Sequence, residues 1–235
     1  MHRCFVLIVG LAACGTVKNN PDIDAAAPPS DGPVTTDTPV DDGGCQPKTL
    51  LVGGTDVAAQ GWSTVMQAPA TVSYGPDYVH LATSSAGGGT SGGQLLLNYP
   101  GAFDANMPFK LEVVILVEQV NPHNSFDSAA AIMGSYSGGF GLGNDRSQMI
   151  YLDGNAIGWA DDTQSFTTTI TNNVFHTFVL SVDAPNGNAN VTVDGIQALT
   201  RAGFVYNGSI AIGDQTNDLN VDSSLRIRSV KLLCP

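Results

Sequence analysis

Apolar side chains recur at every second position in one stretch of the chain, where Phe109, Leu111, Val113, Ile115 and Val117 alternate with Lys110, Glu112, Val114, Leu116 and Glu118. A period of two belongs to an extended strand with one face in a core, so 109–118 is predicted to be a strand whose odd positions point inward. Shorter runs of the same kind lie at 70–74, 78–83, 94–99, 129–136, 148–152, 156–160, 165–170, 175–182, 189–193, 208–212 and 225–233, which makes about a dozen strands. Between them, Asp153-Gly154-Asn155, Pro185-Asn186-Gly187 and Asp194-Gly195 place Gly or Asn where hairpin turns need positive φ. In the last run the apolar phase shifts from Leu225 and Ile227 to Val230 and Leu232, and a β-bulge around Ser229 would keep both halves facing the core. No stretch carries a long helical period. The expected fold class is all-β, a two-sheet antiparallel sandwich.

Composition narrows the function classes. Only 13% of the 235 residues are charged, and 21 acids against nine bases leave a formal net charge of -12. Such a surface repels phosphate backbones, which excludes a DNA- or RNA-binding role. The 27 glycines follow no fixed period, which excludes collagen, and the apolar bursts are too short for a multi-span membrane protein.

The amino-terminal segment has a different character. Met1-His2-Arg3 is a small positive region, and Cys4 to Ala13 form an apolar stretch too short to span a bilayer, so residues 1–13 read as a signal peptide. It ends in Leu11-Ala12-Ala13-Cys14, which resembles the lipobox of bacterial lipoproteins. The resemblance implies cleavage before Cys14, lipidation of its thiol and anchoring to a membrane through the lipid. Gly15 stands where an Asp would favour inner-membrane retention, which points to the outer membrane of a Gram-negative envelope. Residues 15–44 hold six Asp, five Pro and four Thr against one Lys, with no aromatic. That composition cannot offset chain entropy by burial, so 14–44 is expected to be a lipidated cysteine followed by a disordered linker.

With Cys4 removed and Cys14 committed to lipid, Cys45 and Cys234 remain, bracketing the rest of the chain. In an oxidising envelope compartment they are expected to form a disulfide that ties together the ends of a domain at 45–235. Within it, the order and spacing of Phe175-His176-Thr177-Phe178-Val179-Leu180, Val191-Thr192-Val193-Asp194-Gly195, Ile210-Ala211-Ile212-Gly213-Asp214 and Leu225-Arg226-Ile227-Arg228-Ser229-Val230 resemble the laminin-G-like and concanavalin A-like jelly rolls. The resemblance implies two curved antiparallel sheets packed face to face, with ligands in some members on the concave face or at the loop rim. It implies no single activity, since the fold hosts lectins, hydrolases, lyases and adhesion modules.

Candidate chemistry is sparse. The only two glutamates, Glu112 and Glu118, share one strand face, but six residues separate them by about 20 Å. A retaining glycosidase pair needs about 5 Å and an inverting pair under about 10 Å, so they are expected to be solvated surface charges. The Gln-Ile-His segment of jelly-roll lyases is missing, because Gln148 is followed by Met149-Ile150. His80, His123 and His176 stand apart in sequence, with His176 at a strand start where the family often places a structural histidine. No nucleophile-elbow pattern supports a serine triad, and a non-enzyme is expected.

For sugar binding, the aromatics Tyr151, Trp159, Phe140 and Tyr136 are candidates, with Asp153 and Asp161 as hydroxyl partners. Tyr151 alternates with inward Ile150 and Leu152 and should point outward, whereas Trp159 equally suits the core. Asp214, Asp218, Asn220 and Asp222 present oxygens near one another in a loop, a calcium-like pattern without the closing bidentate glutamate. A plain polar hairpin loop is the alternative. The Gly-rich run 87–93 reads as a flexible loop. The expectation is a surface-tethered lipoprotein carrying a non-catalytic, lectin-like module for glycans or cell-surface proteins. Its rivals are a structural envelope lipoprotein without ligand and a glycan-active enzyme with an atypical site.

Overall fold

The computed structural model of the chain describes residues 45–83, 93–124, 127–137, 145–184, 187–202, 207–216 and 221–235, without the side chains of 136, 137 and 145–147. Gly44–Pro235 forms one compact unit. It contains fifteen strands: β1 Lys48–Val52, β2 Ser63–Met66, β3 Thr71–Tyr74, β4 Val79–Ala82, β5 Leu95–Tyr99, β6 Phe109–Val120, β7 Ala131–Ser137, β8 Asp145–Leu152, β9 Ala156–Trp159, β10 Ser165–Thr167, β11 His176–Val182, β12 Asn188–Val193, β13 Ile196–Ala202, β14 Ile210–Asp214 and β15 Ser223–Leu233. The helical content among the described residues is one 3-10 turn, Ala58–Gln60.

All strand pairings among the described residues are antiparallel. One sheet runs β13-β12-β11-β6-β15-β4-β3, and β1 adds to the second half of β15 beyond the reach of β4. The other runs β10-β9-β8-β7-β14-β5-β2. The strand predicted at 109–118 is β6, and its five odd positions are all buried. In β15 the pairing to β6 slips between Ile227 and Ser229, the bulge that lets Leu225, Ile227 and Val230 all reach the core. The Asp194-Gly195 turn joins β12 to β13 as a two-residue hairpin with φ of 50° and 81°. Residues 185 and 186 of the other proposed hairpin turn, and 87–92 of the Gly-rich run, lie outside the described residues.

The main core lies between the sheets. Leu111, Ile115, Phe178 and Ile227 from one side meet Leu97, Ile132, Ile150 and Trp159 from the other. Each such side chain contributes about 2 kcal/mol by leaving water. The seven-stranded sheet is also buried on its far face, where Leu96, Ala131, Met133, Met149 and Ala211 form a second cluster. Burial on both sides explains the unbroken apolar run Leu95-Leu96-Leu97 in β5. The expected disulfide is formed, joining Cys45 and Cys234 with their Cα atoms 5.6 Å apart.

Candidate functional site

At one end of the sandwich β4, β6, β8 and β14 finish while β5, β7, β9 and β15 begin. Most of the buried polar side chains gather at this rim, among them Thr83, Gln94, Asp153, Asp214 and Asp222. A packed jelly roll has no use for polar groups at its core, so their concentration at one end marks that end for chemistry.

One half of the rim holds carboxylate oxygens that lack partners among the described residues. Asp214, the last residue of β14, is 1% exposed; its Oδ1 accepts the Thr216 backbone N–H at 3.0 Å, while Oδ2 is buried with no hydrogen-bond partner among the described residues. Burial pushes its pKa up to about 8, against the pull of the Thr216 N–H and the Thr83 hydroxyl and with the help of the nearby Asp222 and Asp127 charges. Asp222, just before β15, is also 1% exposed, and neither of its oxygens has a partner among the described residues. Burial raises its pKa as well. Gln94 donates from Nε2 to the Gln215 carbonyl at 2.7 Å, and its own Oε1 is buried with no partner among the described residues. The backbone around these groups is tied down: Ser223 N–H donates to Thr83 Oγ1 at 2.9 Å, and the Ser223 hydroxyl donates to the Ala129 carbonyl at 2.6 Å.

The other half is fully paired. Asp153, 8% exposed, accepts the His123 backbone N–H on Oδ1 at 3.0 Å, and its Oδ2 lies 2.7 Å from His123 Nδ1. His123 Nε2 lies 2.8 Å from Oδ1 of the exposed Asp162. Burial lowers the imidazole pKa, but hydrogen bonds and charge from Asp153 and Asp162 outweigh it and hold the pKa above its ordinary value. Tyr151 stacks on the imidazole, with ring centroids 3.6 Å apart and planes 15° apart. The ring has room because it lies over Gly158, where a Cβ would stand 2.5 Å from Tyr151 Cζ. Burial, then the charges of Asp153 and Asp162, push the Tyr151 phenol pKa up. The two halves share one connection, since Asn121, two residues before His123, pairs with the Asp222 backbone in both directions at 2.9 and 3.2 Å.

The proposed sugar-binding residues separate accordingly. Tyr151 leaves the core as its alternation predicts, yet it is 4% exposed, covered on one face by His123. Trp159 is fully buried in the main core, with the Arg201 guanidinium 4.2 Å above its ring. Neither aromatic presents an open face to a sugar. Asp153 anchors His123, and exposed Asp161 holds Arg201 at 3.1 Å. His123, absent from the proposed site, is its organising residue. Asp218, Asn220 and Phe140, and the Tyr136 side chain, lie outside the described residues.

No cluster of three His, Cys, Asp or Glu side chains arranged to hold a metal occurs among the described residues. The oxygens of Asp214 and Asp222 with the Gln94 amide oxygen are nevertheless a buried, hard, acceptor-only set. That set suits calcium by donor type and answers the absence of partners by charge. Glu112 and Glu118 face outward on the eight-stranded sheet, as expected, with Glu112 paired to Lys231 at 3.3 Å and Glu118 to Arg226.

Comparison with known proteins places the fold. No protein-family profile matches the chain, and neither does any curated protein. Among solved structures, an endo-β-1,4-glucuronan lyase from the fungus Trichoderma reesei matches with a TM-score of 0.55 at 14% identity, over 81% of this chain and 95% of that one. The VIP36 exoplasmic/lumenal domain in its Ca2+/Man-bound form matches with a TM-score of 0.54 at 13% identity, over 80% and 90%. The carbohydrate esterase vb_24B_21 of the Shiga toxin-encoding bacteriophage phi24B gives 0.53 at 15%, over 80% and 98%. The chain has a concanavalin A-like sandwich fold. At these identities the likeness concerns the fold alone.

The expectation of a non-enzyme needs correction here. An esterase and a lyase share this fold as closely as the VIP36 domain does. The separation of Glu112 and Glu118 removes one glycosidase mechanism, and removing one mechanism does not exclude catalysis.

Proposed function

We propose that the chain is a lipid-tethered glycan-recognition protein that takes its ligand at the rim, with calcium held by Asp214, Asp222 and Gln94. The supporting observation is the pair of buried carboxylates of which three oxygens, Asp214 Oδ2 and both of Asp222, accept no hydrogen bond among the described residues, a costly arrangement unless a cation completes it. A bound divalent ion would favour the ionised form of both carboxylates and offer coordination positions to vicinal sugar hydroxyls. Asn121, Thr83 and Ser223 fix the backbone of this half, so its oxygens stay aimed where they are. The VIP36 exoplasmic/lumenal domain, which has the same fold and is solved in a Ca2+/Man-bound form, supports this reading. The tether rests on the lipobox-like Leu11-Ala12-Ala13-Cys14 and the acidic spacer that follows, and the assignment to the outer membrane rests on Gly15.

Calcium titration by calorimetry, followed by a glycan array with and without calcium, tests the proposal. Binding in the range of about 10⁻⁴ to 10⁻³ M is expected for an extracellular site of this kind, lost in Asp222→Asn, with glycan capture only in the calcium-loaded protein. A folded protein that takes up no calcium and captures no glycan in either condition refutes it.

A further inference from the structure

The described residues include three histidines with carboxylate neighbours, and one differs from the others. Both ring nitrogens of His123 face carboxylates. Both nitrogens of His176 also face acceptors, Asp194 Oδ2 at 2.6 Å and Asn172 Oδ1 at 2.9 Å. His80 instead has acceptors on one side and a free-standing hydroxyl on the other. Its Nε2 lies 3.0 Å from Glu118 Oε2 and 2.8 Å from Ser224 Oγ, and Ser224 directs its own proton to Glu118 at 2.6 Å. Nε2 therefore carries the ring proton. Nδ1 is left with a lone pair, and 3.3 Å from it lies Oγ of the exposed Ser73.

We propose that Ser73, His80 and Glu118 form a nucleophilic triad that cleaves carboxylic esters of small acyl groups on the outer face of the eight-stranded sheet. The roles follow from the geometry: a hydroxyl, a base nitrogen facing it, and a carboxylate that fixes the tautomer from the far side of the ring. The contact of 3.3 Å is within what such pairs show without substrate.

The fold builds this arrangement from three strands. Ser73 and His80 are register partners in the β3–β4 hairpin, and His80 in turn is paired with Arg226 of β15. Glu118 reaches them because the β6–β15 register slips between Ser224 and Leu225, leaving Glu118 as the extra residue of a bulge aimed at this face. Arg226 holds the other oxygen of Glu118 and lies 4.7 Å over the Tyr78 ring.

Strand β3 ends its sheet. Gly75 N–H bonds to the Tyr78 carbonyl, so by antiparallel alternation Ser73 bonds to His80 while the N–H groups of Val72 and Tyr74 turn away from β4. These two donors lie about 7 Å apart along the open edge, so at most one of them can reach an oxyanion formed at Ser73. In the reaction, Ser73 Oγ bonds to the ester carbonyl carbon as its proton passes to His80 Nδ1, and the carbonyl π pair moves to oxygen. Collapse breaks the bond to the alcohol oxygen, which leaves with the proton from Nδ1. Water then repeats the sequence on the acyl-Ser73, releasing the carboxylic acid and restoring the hydroxyl. Ser73 is exposed on this face, which suits an acyl group projecting from a large substrate such as an acylated glycan. This activity goes beyond the calcium-dependent rim and does not depend on it.

The test treats the full chain with a fluorophosphonate and p-nitrophenyl acetate and maps the adduct by peptide mass. The expected result is a Ser73 adduct and slow ester hydrolysis, with both lost in Ser73→Ala and slowed about 100-fold or more in His80→Gln. Glu118→Gln, which tests a positioning role, is expected to retain the Ser73 adduct at a lower rate with a displaced pH–rate profile. Circular dichroism confirms that each variant is folded. No Ser73 adduct on the folded wild-type chain, an adduct on Ser224 instead, or a rate indifferent to His80→Gln overturns the proposal.

Discussion

Asp153 and Asp222 stand at the same rim and are both nearly excluded from water, yet their surroundings differ completely. Asp153 accepts from the His123 backbone and ring, whereas neither oxygen of Asp222 accepts anything among the described residues. Desolvation costs both carboxylates several kcal/mol, and hydrogen bonds from the His123 backbone and ring offset that cost only for Asp153. The contrast shows that burial of a charge says little by itself. Its partners decide whether the residue holds the fold together or holds a place for a ligand.

Removing the partnered carboxylate should have the largest effect. Asp153→Ala leaves a protonated imidazole with its main acceptor gone and is expected to cost about 3 kcal/mol in denaturant unfolding at pH 6. Because the folded state raises the His123 pKa, the stability it contributes is complete below its unfolded value of about 6.5 and fades as pH rises through the folded one. The wild type should therefore lose stability across that window, and Asp153→Ala should show a flatter profile.

The opposite sign is expected next. Asp222→Asn removes an uncompensated charge, so without calcium at pH 8 it should raise stability by about 1–2 kcal/mol, read as a higher midpoint in urea. The same variant should no longer be stabilised when calcium is added. A loss of stability in calcium-free Asp222→Asn would erase the contrast with Asp153. The smallest effect belongs to a partly solvated surface pair: Lys231→Met breaks the contact with Glu112 and should change stability by less than about 0.5 kcal/mol.

Periodicity made the sandwich legible wherever a strand has one face in the core, as in β6, β11 and the bulged β15. It failed for β1, β2 and β13. Lys48–Val52 buries two adjacent residues, Ser63–Met66 is an edge strand with no buried residue, and Ile196–Ala202 is irregular where its register shifts. None of these shows a clean alternation. The unpartnered half of the rim could be read in outline, because Asp214 and Asp222 flank one loop. His123 could not, since it sits in a polar connection 30 residues before Asp153 and 39 before Asp162, and only the closing of the sheet brings them together. Ser73 and His80 were nearer to view. Two predicted strands around Gly75-Pro76-Asp77 imply a hairpin, and a register laid on it would have set the hydroxyl opposite the imidazole.

The disulfide closes the end of the sandwich away from the rim. Lys48 pairs with Leu232, so Cys45 and Cys234 lie just past the last residues of β15, whereas Asp222 stands immediately before its first. Eleven extended residues separate the two ends by about 35 Å. Tension between a ligand at the rim and the chain ahead of Cys45 would enter at the crosslink and run lengthwise along β15, which is zipped to β6 on one side and to β1 and β4 on the other. Loaded that way, the hydrogen bonds resist in shear and must fail together, a geometry suited to gripping under flow.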